Sequence, residues 1–213
     1  MALVDAGLWC EIGPAPFAGR PALFLDRDGV VVVDTNYLGQ VEDLQMIAGS
    51  AEAIARCNAL GVPVVLVTNQ SGIARGYYDW KGFQSVQAAI AVELARAGGH
   101  FDAVLACAYH KDGRDALRID NHPWRKPNPG MIVTAAQRMG LDLAHSWIVG
   151  DQVHDLAAGR AAGTAGGTLL KAGSLDGQQV LALAGAQFAV DVASNLADAV
   201  TKLLEQRQFG TRP

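Results

Sequence analysis

The stretch ALFLDRDG, at residues 22–29, decides the fold of this chain. Its first half, Ala22–Leu25, is a short and uninterrupted apolar run, and its second half begins abruptly with acidic residues. Apolar runs of this kind are typical of strands that are buried on both faces of a parallel sheet. The stretch therefore predicts a central strand whose carboxyl end carries two carboxylates, those of Asp26 and Asp28.

The same pattern recurs along the chain and predicts an α/β fold. Strands alternate with helices, which favours a three-layer, doubly wound parallel sheet with helices on both faces. Further strands are predicted at Val62–Val67, Phe101–Tyr109, Trp147–Val149, Thr168–Leu170 and Phe188–Val190. Helices are predicted at Ala51–Leu60 with Ser50 as its cap, from Asp79 to Arg96, and at Gly130–Met139, Val153–Ala162 and Asn195–Leu204.

Two segments fall outside the alternating pattern. Residues 1–20 are rich in Gly, Pro and Ala and show no periodicity, so we expect an irregular N-terminal arm. The segment His110–Pro129 is polar and contains three prolines, and a loop of this length inside a compact domain is a candidate for function. We expect residues 1–213 to form a single domain.

Composition narrows the class of protein. The formal net charge is −4, which argues against a nucleic-acid-binding protein. The three cysteines are too few and too scattered for a disulfide framework and favour a reducing compartment. The N-terminus does not resemble a signal peptide, and no apolar stretch approaches the length of a membrane span. We expect a cytoplasmic monomer that binds a small phosphorylated metabolite, without nucleic-acid or membrane partners.

Polar clusters follow the predicted strands at the points where these strands end. They are Asp26–Gly29, Thr68–Gly72 and Gly150-Asp151 with Asp155, and the long loop adds Arg125-Lys126. Ligands of open α/β sheets bind outside the carboxyl ends of the strands. The sequence therefore predicts that these groups form one site.

These residue types together favour phosphate chemistry. The carboxylates of Asp26, Asp28 and Asp151 would repel one another without a cation between them, and oxygen ligands favour Mg²⁺. Lys126 and Thr68 offer a cation, a hydroxyl and backbone N–H groups for a phosphate. Asp26 could attack the phosphorus atom to form an aspartyl-phosphate. Asp28 could protonate the leaving oxygen and then deprotonate the attacking water.

The four clusters resemble the motifs of the haloacid dehalogenase (HAD) superfamily of phosphatases. Asp26-Arg27-Asp28-Gly29-Val30 is similar to the first motif, Thr68 to the second, Lys126 to the third, and Gly150-Asp151 with Asp155 to the fourth. The resemblance implies a Rossmann-like core with Asp26 as the nucleophile and Asp28 as the acid/base. It also implies phosphoryl binding by Thr68 and Lys126. The implied Mg²⁺ ligands are Asp26, the backbone carbonyl of Asp28, and Asp151, with Asp155 in support.

Two longer runs are similar to one branch of that superfamily. They are TNQSGIARG, at residues 68–76, and RKPNPGM, at residues 125–131. Both resemble the D-glycero-D-manno-heptose-1,7-bisphosphate 7-phosphatases, whose plan the histidinol-phosphatases share. The resemblance implies a sugar bisphosphate substrate and no separate cap domain, and no cap-sized insert is visible. The substrate-binding residues that it implies are Asn69, Gln70, Ser71 and Arg125.

The sequence departs from this branch at the position of a zinc site. The branch typically carries a Cys-x-His and a Cys-x-Cys pair before the third motif, where this chain has Tyr109 and Trp124 in place of two ligands. Cys107, His110 and His122 remain as candidates. A structural zinc site usually needs four ligands, so we do not expect zinc.

A second departure leaves the substrate open. Gln152 follows Asp151 where many relatives carry lysine. The alternative substrates are histidinol phosphate and other small phosphomonoesters. A hypothesis of another class is a non-catalytic module that binds phosphosugars, and the intact pair Asp26 and Asp28 argues against it.

Overall fold

The computed structural model describes residues 2–14, 17–170, 182–206 and 208–210. An eight-stranded sheet forms the centre of the molecule, in the order β1-β2-β5-β4-β3-β6-β7-β8. The strands are β1 (Leu3–Asp5), β2 (Leu8–Ile12), β3 (Leu23–Leu25), β4 (Val64–Asn69), β5 (Ala103–Cys107), β6 (Trp147–Gly150), β7 (Gly166–Leu170) and β8 (Ala189–Ala193). All neighbours from β5 across to β8 are parallel, whereas β1 and β2 are antiparallel to their neighbours.

Helices cover both faces of the sheet, as the alternating pattern predicts. They are α1 (Ser50–Ala59), α2 (Ser71–Arg75), α3 (Trp80–Arg96), α4 (Gly130–Met139), α5 (Val153–Ala162) and α6 (Leu196–Glu205). Successive side chains of a strand point to opposite faces. Leu23 and Leu25 accordingly pack in a core with α1, α3 and α6, while Phe24 packs in a second core with α4 and α5. The predicted three-layer α/β fold is confirmed.

The N-terminal segment is where the prediction is wrong. Residues 1–20 were expected to be irregular, but β1 and β2 form a hairpin that extends the sheet. β2 pairs with β5 along its length, from Leu8 opposite Cys107 to Ile12 opposite Ala103. Leu8, Trp9 and Cys10 are buried as a result. The prediction failed because a short strand is stabilised by a partner far along the chain, which local periodicity does not reveal.

Several smaller features also differ from the predictions. Ser50 does not cap α1: it is the first helical residue, Gly49 occupies the cap position with a φ of 79°, and the Ser50 hydroxyl donates to Val31 O at 2.9 Å. The short helix α2 was not predicted. The predicted bounds of α4 and α5 are confirmed, and Asp79 caps α3 by accepting a hydrogen bond from Gly82 N.

The described residues hold no separate cap domain. Between β3 and α1 the chain forms isolated bridges and a 3₁₀ turn at Val41–Asp43, and between β4 and β5 it forms α2 and α3. The long loop before α4 contains a 3₁₀ turn at Asp115–Leu117. None of the helices in the described part of the chain has both the length and the apolar character that crossing a membrane requires.

Candidate active site

The site lies where three adjacent strands end. β3 lies between β4 and β6 in the sheet, so the carboxyl ends of the three strands meet at one edge. Asp26 follows β3, Thr68 lies near the end of β4, and Asp151 follows β6. The loop before α4 brings Lys126 into contact with Asp26. The structure therefore brings together residues that are widely separated in the sequence.

Lys126 is the buried cation of the site. Its Nζ lies 2.9 Å from Asp26 Oδ1 and 2.7 Å from Asp155 Oδ1, and it donates to Val67 O at 2.8 Å. Burial by itself would lower the pKa of Lys126, but the carboxylates of Asp155 and Asp26 raise it above its ordinary value. Lys126 is therefore charged and holds the Asp26 carboxylate in one orientation.

Three acidic side chains form a compact group beside Lys126. Oxygen atoms of Asp26, Asp151 and Asp155 all lie within 4.8 Å of one another. Burial, together with the charges of Asp26 and Asp155, raises the pKa of Asp151 to about 7. One lysine does not neutralise three buried carboxylates, so the group favours a bound cation. Its all-oxygen donors fit Mg²⁺.

A glycine makes room for this acidic group. Gly29 has a φ of 76°, and a Cβ atom at this position would lie 2.5 Å from Asp151 Oδ2. Any larger side chain would therefore displace the Asp151 carboxylate. The glycine of the Asp-Arg-Asp-Gly motif is required both by its backbone conformation and by the close approach of Asp151.

The Asp28 carboxylate is not part of the acidic group. Its Oδ1 accepts a hydrogen bond from Arg27 Nε at 3.0 Å, and its Oδ2 accepts one from Gln70 Nε2 at 3.1 Å. Burial raises the pKa of Asp28, and Arg27 partly opposes this rise. The metal ligand predicted for this residue is its backbone carbonyl, which stays a prediction.

Arg27 contacts Asp28, a role that was not predicted from the sequence. Its side chain is fully buried, with its guanidinium carbon 5.6 Å from the centre of the Phe83 ring and Nη2 donating to Leu38 O at 3.3 Å. It forms an ion pair with Asp28 at 3.0 Å. A buried arginine requires a charged partner. An arginine between two acids directly after a buried strand was the signal that could have identified it.

Polar residues at the end of β4 and directly after it form hydrogen bonds to other protein groups. Thr68 Oγ1 accepts a hydrogen bond from Gln70 Nε2 at 2.8 Å. Asn69 exchanges two hydrogen bonds with the backbone of Lys126. Asn69, Gln70 and Ser71 all line the cleft above the site. Substrate binding by these three residues stays a prediction.

Arg125 lies at the edge of the cleft, on the long loop. Its guanidinium Nη1 donates to Tyr109 O at 3.2 Å, and the side chain is partly buried. Burial lowers the pKa of Arg125, and the nearby charge of Arg75 lowers it further. Arg75 is paired with Asp112 at 3.1 Å, whereas Arg125 forms no ion pair among the described residues, so the Arg125 guanidinium is the group on this side of the cleft that can attract an anion.

The cleft has a volume of about 280 Å³ and also contains residues that the sequence did not single out. These additional residues are Asp34, Asn36, Tyr37, Tyr78 and His154, and the cleft is also lined by Gly72 and Gln152. Asn36 and Tyr37 have φ values of 56° and 77°. Positive φ at non-glycine residues costs free energy and is concentrated at functional sites. The polar segment that follows Val30–Val33 was the sequence feature from which this side of the cleft could have been predicted.

Relatives with known names match this chain over most of its length. A D-glycero-beta-D-manno-heptose-1,7-bisphosphate 7-phosphatase of Mesorhizobium japonicum is 50% identical over 79% of this chain and 78% of the relative. The chain belongs to the HAD-like phosphatase family. A HAD-hydrolase-like family model matches residues 123–199. The enzyme with the same name from Yersinia pestis is 39% identical over 72% of this chain and 81% of the relative.

Solved structures agree with this family. A HAD-like phosphatase from Mesorhizobium loti has a TM-score of 0.86 and 39% identity, and covers 100% of this chain and 98% of its own. A D,D-heptose 1,7-bisphosphate phosphatase from B. bronchiseptica, complexed with magnesium and phosphate, has a TM-score of 0.75 and 35% identity. It covers 87% of this chain and 99% of its own.

In this HAD-like phosphatase, the candidate zinc residues are engaged in other contacts. Cys107, His110 and His122 do not form a three-ligand group within the described ranges. Burial raises the pKa of Cys107 to about 12, which keeps the thiol protonated. The His122 ring stacks on Tyr109 with 4.4 Å between ring centres, and Trp124 packs against the second core. The absence of zinc stays a prediction, which a measurement of the metal content of the purified protein would test.

A larger cavity lies away from the catalytic groups. It has a volume of about 870 Å³ and lies between the start of β8 and the end of α5. Small residues line most of its described wall, and Arg160 is the titratable group among them. Because it lacks convergent polar groups in the described part of the chain, we place the chemistry in the smaller cleft.

Proposed function

We propose that this protein is an Mg²⁺-dependent phosphomonoesterase that hydrolyses a sugar bisphosphate of the D-glycero-D-manno-heptose 1,7-bisphosphate type. The observation that carries the proposal is the fixed carboxylate of Asp26. Lys126 lies 2.9 Å from its Oδ1, and the Arg27 backbone N–H donates to the same oxygen at 2.7 Å. A buried carboxylate that two donors orient at the strand end is suited to nucleophilic attack.

Asp26 and Asp28 divide the reaction between them in this proposal. A carboxylate oxygen of Asp26 forms a bond to phosphorus while the bond from phosphorus to the sugar oxygen breaks. Asp28 gives its proton to the leaving oxygen, which takes the electron pair of the broken bond. Asp28 then accepts a proton from the water that hydrolyses the aspartyl-phosphate. Both residues thereby return to their starting states.

The surrounding charges support this chemistry. Asp26, Asp151 and the supporting Asp155 would hold Mg²⁺, which supplies positive charge against the repulsion between a phosphate and a carboxylate. Lys126 contributes a second positive charge next to Asp26. Thr68 is buried, and the Gln70 amide connects its hydroxyl to Asp28. In this proposal the Thr68 hydroxyl and the adjacent backbone bind the phosphoryl oxygens.

Arg125 is the residue that we propose to bind the second phosphate of the substrate. Asn69, which is also predicted to bind the substrate, uses its side chain to hold the backbone of Lys126. Arg125 lies on the cleft wall, and its guanidinium forms no ion pair among the described residues. The names of the relatives, which act on a heptose bisphosphate, support this choice of substrate.

A substrate panel tests the proposal. It should compare kcat/KM for heptose 1,7-bisphosphate, a heptose monophosphate, histidinol phosphate and p-nitrophenyl phosphate, with Mg²⁺ and after chelation. We expect the bisphosphate to be preferred and chelation to remove activity until Mg²⁺ is restored. Asp26→Asn should abolish phosphate release, whereas Asp43→Asn, on an exposed turn, should not. A preference for histidinol phosphate would overturn the substrate, and an active Asp26→Asn variant would overturn the mechanism.

The role of Arg125 has its own test. Arg125→Ala should lower kcat/KM for the bisphosphate about tenfold or more, since a charge-assisted contact to phosphate is lost. It should leave p-nitrophenyl phosphate nearly unaffected. Arg118→Ala, on the same loop but with its Nε donating to Gly113 O at 2.9 Å, is the matched control. An equal loss on both substrates would contradict the assignment.

A further inference from the structure

A chain of hydrogen bonds connects Tyr78 to the carboxylate of Asp28. The Tyr78 hydroxyl donates to Gln70 Oε1 in a short contact. The Gln70 amide nitrogen then donates to Asp28 Oδ2 at 3.1 Å and to Thr68 Oγ1 at 2.8 Å. A primary amide has two N–H donors and one carbonyl acceptor. All the polar groups of Gln70 are therefore engaged, and its orientation is determined.

The Asp28 carboxylate and the Tyr78 hydroxyl together favour one orientation of the Gln70 amide. If the amide were rotated by half a turn, its oxygen would point at the Asp28 carboxylate and its N–H₂ group at the tyrosine. That orientation would place two acceptors against each other beside a buried carboxylate, which is unfavourable. Burial raises the pKa of Tyr78 to about 12, so its hydroxyl remains a donor at any pH at which the enzyme would be assayed.

The Tyr78 ring is itself held in a slot between glycines. A Cβ atom at Gly39 would lie 2.4 Å from Tyr78 Cγ, and one at Gly72 would lie 2.3 Å from Tyr78 Cε1. The two glycines come from different segments, one before α1 and one within α2. The slot fixes the ring, and the ring fixes the position of the hydroxyl.

The opposite side of Asp28 is held by Arg27. Its Nε donates to Asp28 Oδ1 at 3.0 Å, and the guanidinium group cannot easily move because it is fully buried over the Phe83 ring. Arg27 thus holds one carboxylate oxygen of Asp28, and Gln70 holds the other. The Gln70 amide in turn accepts a hydrogen bond from the Tyr78 hydroxyl.

We propose that Tyr78 is a positioning residue that acts through Gln70 to aim the Asp28 carboxyl group at the leaving oxygen of the substrate. The proposal rests on the acid/base role of Asp28 in the proposed function. In the step concerned, Asp26 bonds to phosphorus, the ester oxygen departs with its electron pair, and the Asp28 proton moves to that oxygen. Tyr78 contributes alignment to this transfer and does not touch the reacting atoms.

The dependence on the leaving group tests this proposal. A sugar alkoxide needs a proton in order to leave, whereas p-nitrophenolate leaves without one. Since kcat/KM covers the steps up to the first irreversible one, the later hydrolysis of the aspartyl-phosphate does not obscure the comparison. Tyr78→Phe should lower kcat/KM for the sugar phosphate about tenfold, a fraction of a full acid/base contribution. It should change kcat/KM for p-nitrophenyl phosphate by less than about twofold.

Tyr77→Phe is the matched control, because it removes the same atom from a neighbouring, exposed tyrosine. This variant should behave like the wild type on both substrates. Gln70→Leu also removes a donor from Thr68, so it should lower kcat/KM for both substrates, and more for the sugar phosphate than for p-nitrophenyl phosphate. The double variant Gln70→Leu/Tyr78→Phe should be no worse than Gln70→Leu alone, because Tyr78 acts through Gln70. An equal loss on both substrates in Tyr78→Phe would indicate a purely structural role and overturn the proposal. Unchanged kinetics would also overturn it.

Asp28→Asn separates this proposal from the proposed function. If Asp28→Asn loses far more activity on the sugar phosphate than on p-nitrophenyl phosphate, the acid role of Asp28 holds and Tyr78→Phe is a fair test. If Asp28→Asn shows no dependence on the leaving group, the acid role fails, and the proposal for Tyr78 fails with it. Thermal unfolding of each variant shows whether it is folded. If Tyr78→Phe does not fold, the comparison of the two substrates in Gln70→Leu tests the proposal instead.

Discussion

Asn69 and Lys126 exchange two hydrogen bonds, each 3.1 Å long: the Asn69 amide donates to Lys126 O, and Lys126 N–H donates to Asn69 Oδ1. The pair ties the end of β4 to the long loop that carries Arg125 and Lys126. It lies next to the buried ion pairs of the Lys126 side chain. The position of Lys126 therefore depends on an asparagine at the end of β4.

Asn69→Ala should weaken this connection. It leaves the Lys126 backbone N–H without its partner, at a cost of about 1–3 kcal/mol in the free energy of unfolding. We expect kcat/KM to fall for the bisphosphate and for p-nitrophenyl phosphate alike, because Lys126 serves the phosphoryl group in both. Urea unfolding and steady-state kinetics measure the two effects. Asn69→Asp keeps the acceptor and loses the donor, so it should be intermediate, and wild-type behaviour of Asn69→Ala would contradict this account.

Removing the buried cation should destabilise the protein strongly. In Lys126→Met, Asp26 and Asp155 lose their shared counter-ion, and breaking a buried ion pair costs about 3–5 kcal/mol. We expect this loss in urea unfolding without Mg²⁺, and no measurable turnover. Lys202→Met is the control, since Lys202 forms a partly exposed pair with Asp198 at 3.7 Å. A Lys126→Met variant as stable as the wild type would contradict the account of Lys126 as the shared counter-ion of Asp26 and Asp155.

The stability of the metal-free protein should fall as the pH rises toward neutrality. The pKa of Asp151 is raised from 3.8 to about 7 in the folded protein, so between these values the folded state binds more protons than the unfolded state. Stability decreases with pH wherever the folded state binds more protons. We therefore expect the metal-free Tm to decline from about pH 4 to about pH 7 through this residue.

Mg²⁺ should reverse that trend. A cation competes with protons for the acidic group, so the rise in Tm that Mg²⁺ produces should be larger at pH 8 than at pH 5. Differential scanning calorimetry with and without Mg²⁺ measures both trends. Asp151→Asn should flatten the pH dependence, and a rise in Tm of the metal-free protein between pH 5 and pH 7 that disappears in Asp151→Asn would have the wrong sign for this explanation.

The N-terminal hairpin should stabilise the long loop through the close approach of Gly7 to the Tyr109 ring. A Cβ atom at Gly7 would lie 2.6 Å from ring carbons of Tyr109, whose other contacts include the His122 ring and the Arg125 guanidinium. Gly7→Ala should lower the free energy of unfolding by about 1–3 kcal/mol through overpacking. Because Arg125 is disturbed as well, KM for the bisphosphate should rise while KM for p-nitrophenyl phosphate does not.

Gly185→Ala is the matched control for this prediction. A Cβ atom there has no neighbour within 4 Å, so stability should change little. Urea unfolding of the two variants gives the comparison. Equal stability of Gly7→Ala and the wild type would mean that the hairpin moves away from Tyr109 without cost.

The sequence alone predicted the residues of the candidate site. Asp26, Thr68 and Asp151 could be predicted to converge because parallel strands end at one edge of the sheet and apolar runs mark where strands end, and Lys126 was grouped with them as part of the same candidate site. The predicted bounds of α4, which ends before Gly140, and of α5 match the structure. These are local patterns, and local patterns are visible in a linear sequence.

The tertiary structure alone decided how the site is held. The pairing of β2 with β5, the burial of Arg27 over Phe83, the contact of Asn69 with Lys126, and the connection from Tyr78 through Gln70 to Asp28 all join distant parts of the chain. Hydrogen-bond partners and buried counter-ions are determined by which side chains lie close together in three dimensions. The order of residue types along the chain does not reveal this proximity. The residue types specified which reaction this site can perform, and the packed fold determined which oxygen each donor meets.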